Sequence, residues 1–137
     1  MAYFKFAESI LNNESIYLNN KGQMSRDMTH VSDIVNGILA GLKMIFLEGS
    51  KETQSYQNLI IILGNDSPVQ TLYLLETLES ILGKKAKIIH AQTSNEVLST
   101  HADLAKAFKY LGYKPQVCFE DGLYDFVSWL LKYRDKT

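Results

Sequence analysis

The segment Lys21–Asp33, KGQMSRDMTHVSD, sets Arg26, one of two arginines among 14 basic residues, between a glycine turn and the start of a helical pattern. A guanidinium is a planar, permanently charged fork that meets a phosphate or carboxylate with two parallel N–H bonds, a geometry that lysine lacks. Anion recognition is one reading of Arg26, and a surface ion pair with Asp27 or Asp33 is the other. Tyr17 with Lys21 and Tyr110 with Lys114 have the spacing at which, on one helix, a lysine lowers a tyrosine pKa for proton transfer. The first pair runs from a strand pattern into a turn and the second crosses Gly112, so neither sits on one helix. His30, His90 and His101 lack metal-ligand spacing and read equally as interior or strand-surface residues. Cys118 reads as a small buried residue near a helix cap, with no histidine close in sequence to activate it. Glu120 and Asp121 at a helix start complement the helix dipole and need no further role.

The elements that must carry these residues follow from periodicity. Phe4, Ala7, Ile10 and Leu11 repeat at helical spacing over residues 3–12, and Asn12-Asn13 ends the run. SIYLNN and DMTHV predict two short strands around the Lys21-Gly22 turn, with Arg26 on or just before the second. From Ser32 to about Phe46, Ile34, Val35, Ile38, Leu39, Leu42, Ile45 and Phe46 define a helix with a broad apolar stripe. Gly37 and Gly41 weaken that helix and are bearable where another backbone comes close. Residues 48–58 read as a flexible loop. LIIILG predicts a central strand buried on both faces. Ser67-Pro68-Val69-Gln70 has the form of a capping box opening a helix through Leu72, Leu75, Leu78 and Ile81 to a stop at Gly83. AKIIHAQ is a further strand. Asp103 or Thr100 caps a helix ending at Gly112, and Leu123, Phe126, Val127, Leu130 and Leu131 mark a last one.

At 137 residues, 46% hydrophobic and 21% charged, the chain is long enough for one core, so a single domain of α/β or α+β class is expected. A net charge of -1 with scattered lysines argues against nucleic acid as a partner. One cysteine excludes an internal disulfide, and no apolar run reaches the length of a membrane span. The aromatic and acidic N-terminus is unlike a secretory signal, which suits the cytoplasm. No glycine-rich dinucleotide loop follows any strand pattern, and neither metal nor cofactor is expected on this chain.

The stretches MAYFKFAESIL, GQMSRDMTHVSDIVNGI, LGNDSPV, LESILGKKAK, HADLAKAFKYLGYKP and FEDGLYDFVSWL, in that order, resemble the C-terminal portion of the extended short-chain dehydrogenase/reductase enzymes that epimerise nucleotide sugars. The resemblance is above all to the UDP-glucuronate 4-epimerases of capsular polysaccharide synthesis. It implies the C-terminal substrate-binding part of that fold over residues 1–137, with the Rossmann half, its NAD loop and its Tyr-x-x-x-Lys helix lying N-terminal to Met1. It assigns Arg26 to the diphosphate of a UDP-sugar and places Thr93 and Glu96 on the substrate side. There the family tends to have Gln/Arg-Pro-Gly-Asp-Val, whereas this chain has Thr93-Ser94-Asn95-Glu96-Val97. The family's Tyr-Asn-Ile-Gly is here Ile61-Ile62-Leu63-Gly64. The expected partners are a UDP-sugar, a missing or separate Rossmann half, and a second copy through the Ser32–Phe46 helix. NAD is expected for the full-length family only. The alternative is a non-enzymatic interaction module that kept the fold and lost the ligand.

Overall fold

The computed structural model describes residues 1–47, 59–92 and 97–136, and the predicted loop at 48–58 lies outside them. The element order is α1 (Ala2–Leu11), β1 (Ser15–Asn19), β2 (Ser25–Asp27), α2 (Val31–Leu47), β3 (Pro68–Gln70), α3 (Thr71–Leu82), β4 (Lys87–Ala91), β5 (Ser99–Thr100), α4 (Ala105–Leu111) and α5 (Phe119–Arg134). Contacts cluster into two units. One comprises Met1–Arg26, Val69–Thr100 and Phe119–Thr137, the other Asp27–Pro68 and His101–Cys118.

The first unit is built on an aliphatic core. Ala7 and Ile10 from α1, Ile16 and Leu18 from β1, Leu74, Leu75 and Leu78 from α3, and Leu123, Val127 and Leu130 from α5 are all buried. The inward pair on β1 alternates with exposed residues, the period-two signature of a strand covered on one face. β1 pairs in parallel with β4, from Ser15↔Lys87 to Asn19↔Ala91. β2 pairs in parallel with β5 through Ser25↔Ser99 and Arg26↔Thr100, and β3 flanks β2 on its other side. The Asn20–Gly22 turn after β1 has Gly22 at φ +75, where a Cβ would lie 2.9 Å from Leu72 Cβ, so conformation and space both require glycine.

Four expectations are corrected here. The second strand covers Ser25–Asp27, and Met28–His30 lead out of it into α2. His30 opens that helix: its carbonyl accepts the Asp33 and Ile34 N–H groups, and its Nδ1 lies 2.7 Å from Ser32 Oγ. Pro68–Gln70 is strand and α3 starts at Thr71, because Thr71 donates both its N–H (2.8 Å) and its hydroxyl (3.0 Å) to the Met24 carbonyl and holds the preceding residues in the sheet. LIIILG forms no strand among the described residues and is not buried on both faces: Ile60 and Ile62 are exposed, while Leu59, Ile61 and Leu63 are half-buried. It is an extended segment covered on one side. Cys118 is exposed, immediately before α5.

The second unit has a polar centre. Asp33, at the start of α2, is 1% exposed and accepts the N–H groups of Gln116 (3.0 Å) and Val117 (3.1 Å). Tyr113 is buried and donates to the Gly64 carbonyl at 2.8 Å. A Cβ on Gly37 would meet the Leu63 and Tyr113 side chains, so the close approach expected there is to side chains, and among the described residues nothing lies near Gly41. α4 begins one residue after Leu104, with Asp103 Oδ1 accepting the Ala105 N–H at 2.9 Å, and stops at Gly112 in the left-handed conformation. Neither expected cap stands at the N-cap position, which is Leu104: Asp103 precedes it and accepts the first helical N–H from there, and Thr100 lies on β5.

Candidate anion-binding strand

Arg26 is half-buried in the middle of β2, opposite Thr100 of β5. Side chains alternate across a strand, so Arg26 and Thr100 share one face while Ser25 and Ser99 share the other. The serine pair closes on itself: Ser25 Oγ donates to Ser99 Oγ at 2.9 Å, and the Ser25 N–H donates to the Leu98 carbonyl at 2.8 Å. Arg26 Nη1 donates to the carbonyl of Ser25 at 2.8 Å. That single bond curls the guanidinium beside its own strand and leaves further N–H donors of its fork available.

The two acids of the ion-pair reading are engaged elsewhere. Asp27 accepts the Asn65 N–H at both oxygens (3.1 and 3.2 Å) and takes the N–H groups of Asp66 (3.1 Å) and Ala102 (2.9 Å) at Oδ2. Asp33 is spent on Gln116 and Val117. Among the described residues Arg26 makes no ion pair; the ion pairs there are Lys85–Glu79, His101–Asp66 and Arg134–Glu8. Both aspartates are backbone clamps, and among the described residues neither pairs with the arginine.

Thr93 and Glu96 lie outside the described residues. Thr100, which sequence reasoning treated as a helix cap, is the residue opposite Arg26 in the strand register, and the pairing of two distant strands is what reveals it. Neither tyrosine–lysine pair shares a helix: Tyr17 is on β1 and Lys21 in the following turn, while Lys114 lies past Gly112 with its ammonium 5.1 Å from the Phe108 ring. His90 is exposed on β4, and His101 sits 3.4 Å from Asp66. Among the described residues no cluster of three histidine, cysteine or acidic side chains could hold a metal, and no helix is long and apolar enough to cross a membrane. A shallow groove of about 430 Å³ between α1 and α5 is lined by Phe4, Glu8, Asn12, Tyr133 and Arg134. Its arginine is committed to Glu8 and Asn12, both at 2.8 Å.

No family model matches the chain. Over 98% of its length it is 44% identical to the uncharacterized protein MJ1055 of Methanocaldococcus jannaschii, of which it covers 39%. It is 39% identical, over 97% of its length, to UDP-glucuronate 4-epimerase 4 of Arabidopsis thaliana, covering 32% of that protein. Among solved structures, UDP-glucuronic acid 4-epimerase from Bacillus cereus in complex with NAD superposes with a TM-score of 0.73 at 29% identity, over 96% of this chain and 39% of that one. The chain thus spans between about a third and two fifths of the length of these relatives. Mixed helices and small sheets arranged in this order, with matches of this extent, mean that the chain corresponds to the C-terminal portion of the extended short-chain dehydrogenase/reductase nucleotide-sugar epimerases.

Proposed function

We propose that residues 1–137 act as one domain that binds the UDP moiety of a nucleotide sugar in a UDP-glucuronate 4-epimerase-like protein, without catalysis of its own. The observation that carries this reading is Arg26, a guanidinium on a sheet strand with a threonine hydroxyl beside it and no carboxylate partner among the described residues. A diphosphate presents oxygens that such a fork meets in charge-assisted pairs. Thr93 and Glu96 complete the substrate side in this reading. The hydride chemistry of the relatives depends on NAD, and no residue of this chain is given a part in holding it. Incubating the chain with UDP-glucuronate and NAD is expected to leave the sugar unchanged, and formation of UDP-galacturonate would overturn the non-catalytic part of the proposal.

A second reading, an interaction module, is favoured by α2. Val35, Ile38, Leu39, Leu42 and Ile45 on this helix are 43–52% exposed, a contiguous apolar run of the kind that marks an interface. A Rossmann-type half or a second copy of the chain would cover it. Light scattering at high micromolar concentration tests the second copy: self-association of the wild type, lost in Ile38→Asp, supports it, and a monomeric wild type removes it. The two readings diverge on the ligand: the first binds UDP, and an interaction module that lost the ligand does not.

A further inference from the structure

We infer that Asp27 is the positioning residue for Arg26: its carboxylate, by gathering three backbone N–H groups from two distant loops, fixes the end of the strand from which the guanidinium projects. The inference rests on the proposed role of Arg26 and goes beyond it. The β2–β5 pairing consists of two residue pairs, Ser25↔Ser99 and Arg26↔Thr100. A ladder that short fixes a strand end weakly by itself. Asp27 extends it with its side chain, taking the Ala102 N–H two residues beyond Thr100 at 2.9 Å. The same carboxylate takes the Asn65 and Asp66 N–H groups at 3.1–3.2 Å, so segments 38, 39 and 75 residues away converge on one side chain.

Two further observations show that the surroundings are built for this clamp. A Cβ on Gly64 would lie 2.3 Å from Ala102 Cβ and 2.9 Å from Asp27 Oδ2, so only glycine lets the two loops approach the carboxylate together. Asp66 holds φ +53, a left-handed conformation that aspartate adopts more readily than most non-glycine residues. Both N–H groups that follow Gly64 then point at Asp27. An ionised carboxylate offers acceptor sites only, about four of them, which suits this set of N–H donors; an amide would set two N–H groups of its own against them. A ligand-binding side chain gains most from a backbone already held in place, because less freedom is lost when the ligand arrives.

The test uses the whole chain and three readouts. In the wild type, amide exchange at Asn65, Asp66 and Ala102 should be slowed at least about tenfold relative to an unstructured peptide, and exchange at the unstructured rate would overturn the inference. In Asp27→Asn, the Nε–Hε resonance of Arg26 should broaden or average while that of Arg134 stays sharp; an unchanged Arg26 signal would also overturn it. With UDP as probe, Asp27→Asn should weaken binding about tenfold, and about twofold or less when Arg26 is already lysine, the non-additivity expected of one residue acting through another. Equal losses in both backgrounds contradict positioning. A wild type that does not bind UDP defeats the proposed function, and the exchange and resonance readouts then decide the inference alone.

Discussion

Helices α3 and α2 carry the same kind of apolar repeat and meet opposite fates. On α3, Leu74, Leu75 and Leu78 are 0–1% exposed, sealed by α1 and α5 of the same unit. On α2, Asp33 and Gly37 are buried, while Val35, Ile38, Leu39, Leu42 and Ile45 stay roughly half exposed. A stripe of period 3.6 states that a face is to be covered and says nothing about what covers it. For α3 the cover is encoded within the first unit. For α2, the second unit buries the polar groups of Asp33 and Tyr113, and the apolar residues of the helix named above remain partly exposed. The first unit is therefore held by hydrophobic burial, and the second by carboxylates tying loops together.

Replacing one apolar residue in each helix sharpens that contrast most. Leu78→Ala should lower unfolding free energy by about 2–5 kcal/mol through lost burial and the cavity left behind. Ile38→Asp should cost less than about 0.5 kcal/mol in a dilute sample, since it alters an exposed site. Chemical denaturation measures both, and comparable losses would break the comparison.

Next in size is Tyr113. Burial, with the nearby carboxylates of Asp33 and then Asp27, pushes its phenol above the ordinary value. The folded state therefore holds this proton more tightly than the unfolded chain does. Its contribution is fully present below about pH 10, the ordinary phenol value, and is lost as pH rises through the higher folded-state value. Tyr113→Phe should cost about 1 kcal/mol at neutral pH, because the Gly64 carbonyl loses its donor, and should remove part of the alkaline destabilisation. Melting temperatures from pH 7 to 11 would show it, and identical alkaline profiles would count against the polar-centre description.

The smallest effect belongs to Gly41. Among the described residues nothing lies within 4 Å of a Cβ built there, in the middle of a 17-residue helix. Gly41→Ala should stabilise the chain by about 0.5–1 kcal/mol through helix propensity alone. A loss of stability would mean that this part of α2 is covered after all.

Much of this was legible from the residues. Helices α1, α2, α3 and α5 follow from apolar spacing, and Gly83 and Gly112 end their helices in the left-handed conformation at the predicted positions. What escaped depends on contacts made at long range. Pro68-Val69-Gln70 has the local form of a helix start, and the Met24 carbonyl, 47 residues away, holds it as strand instead. LIIILG reads as doubly buried because composition reports apolarity and not the number of faces covered. Asp27 and Asp33 look like ion-pair partners of Arg26 in sequence, and only folded coordinates reveal the N–H groups that claim them. The role proposed for Arg26 needs no such contact to be read, because the chemistry it invokes is carried by one side chain.

The most direct test of the central claim is calorimetric titration of UDP into the wild type and Arg26→Lys, alongside their melting temperatures. Lysine keeps the charge and loses the bidentate fork, so affinity should fall by about 1–2 kcal/mol with the melting temperature nearly unchanged. Unchanged affinity with a large fall in melting temperature would contradict it, and would return Arg26 to a structural role.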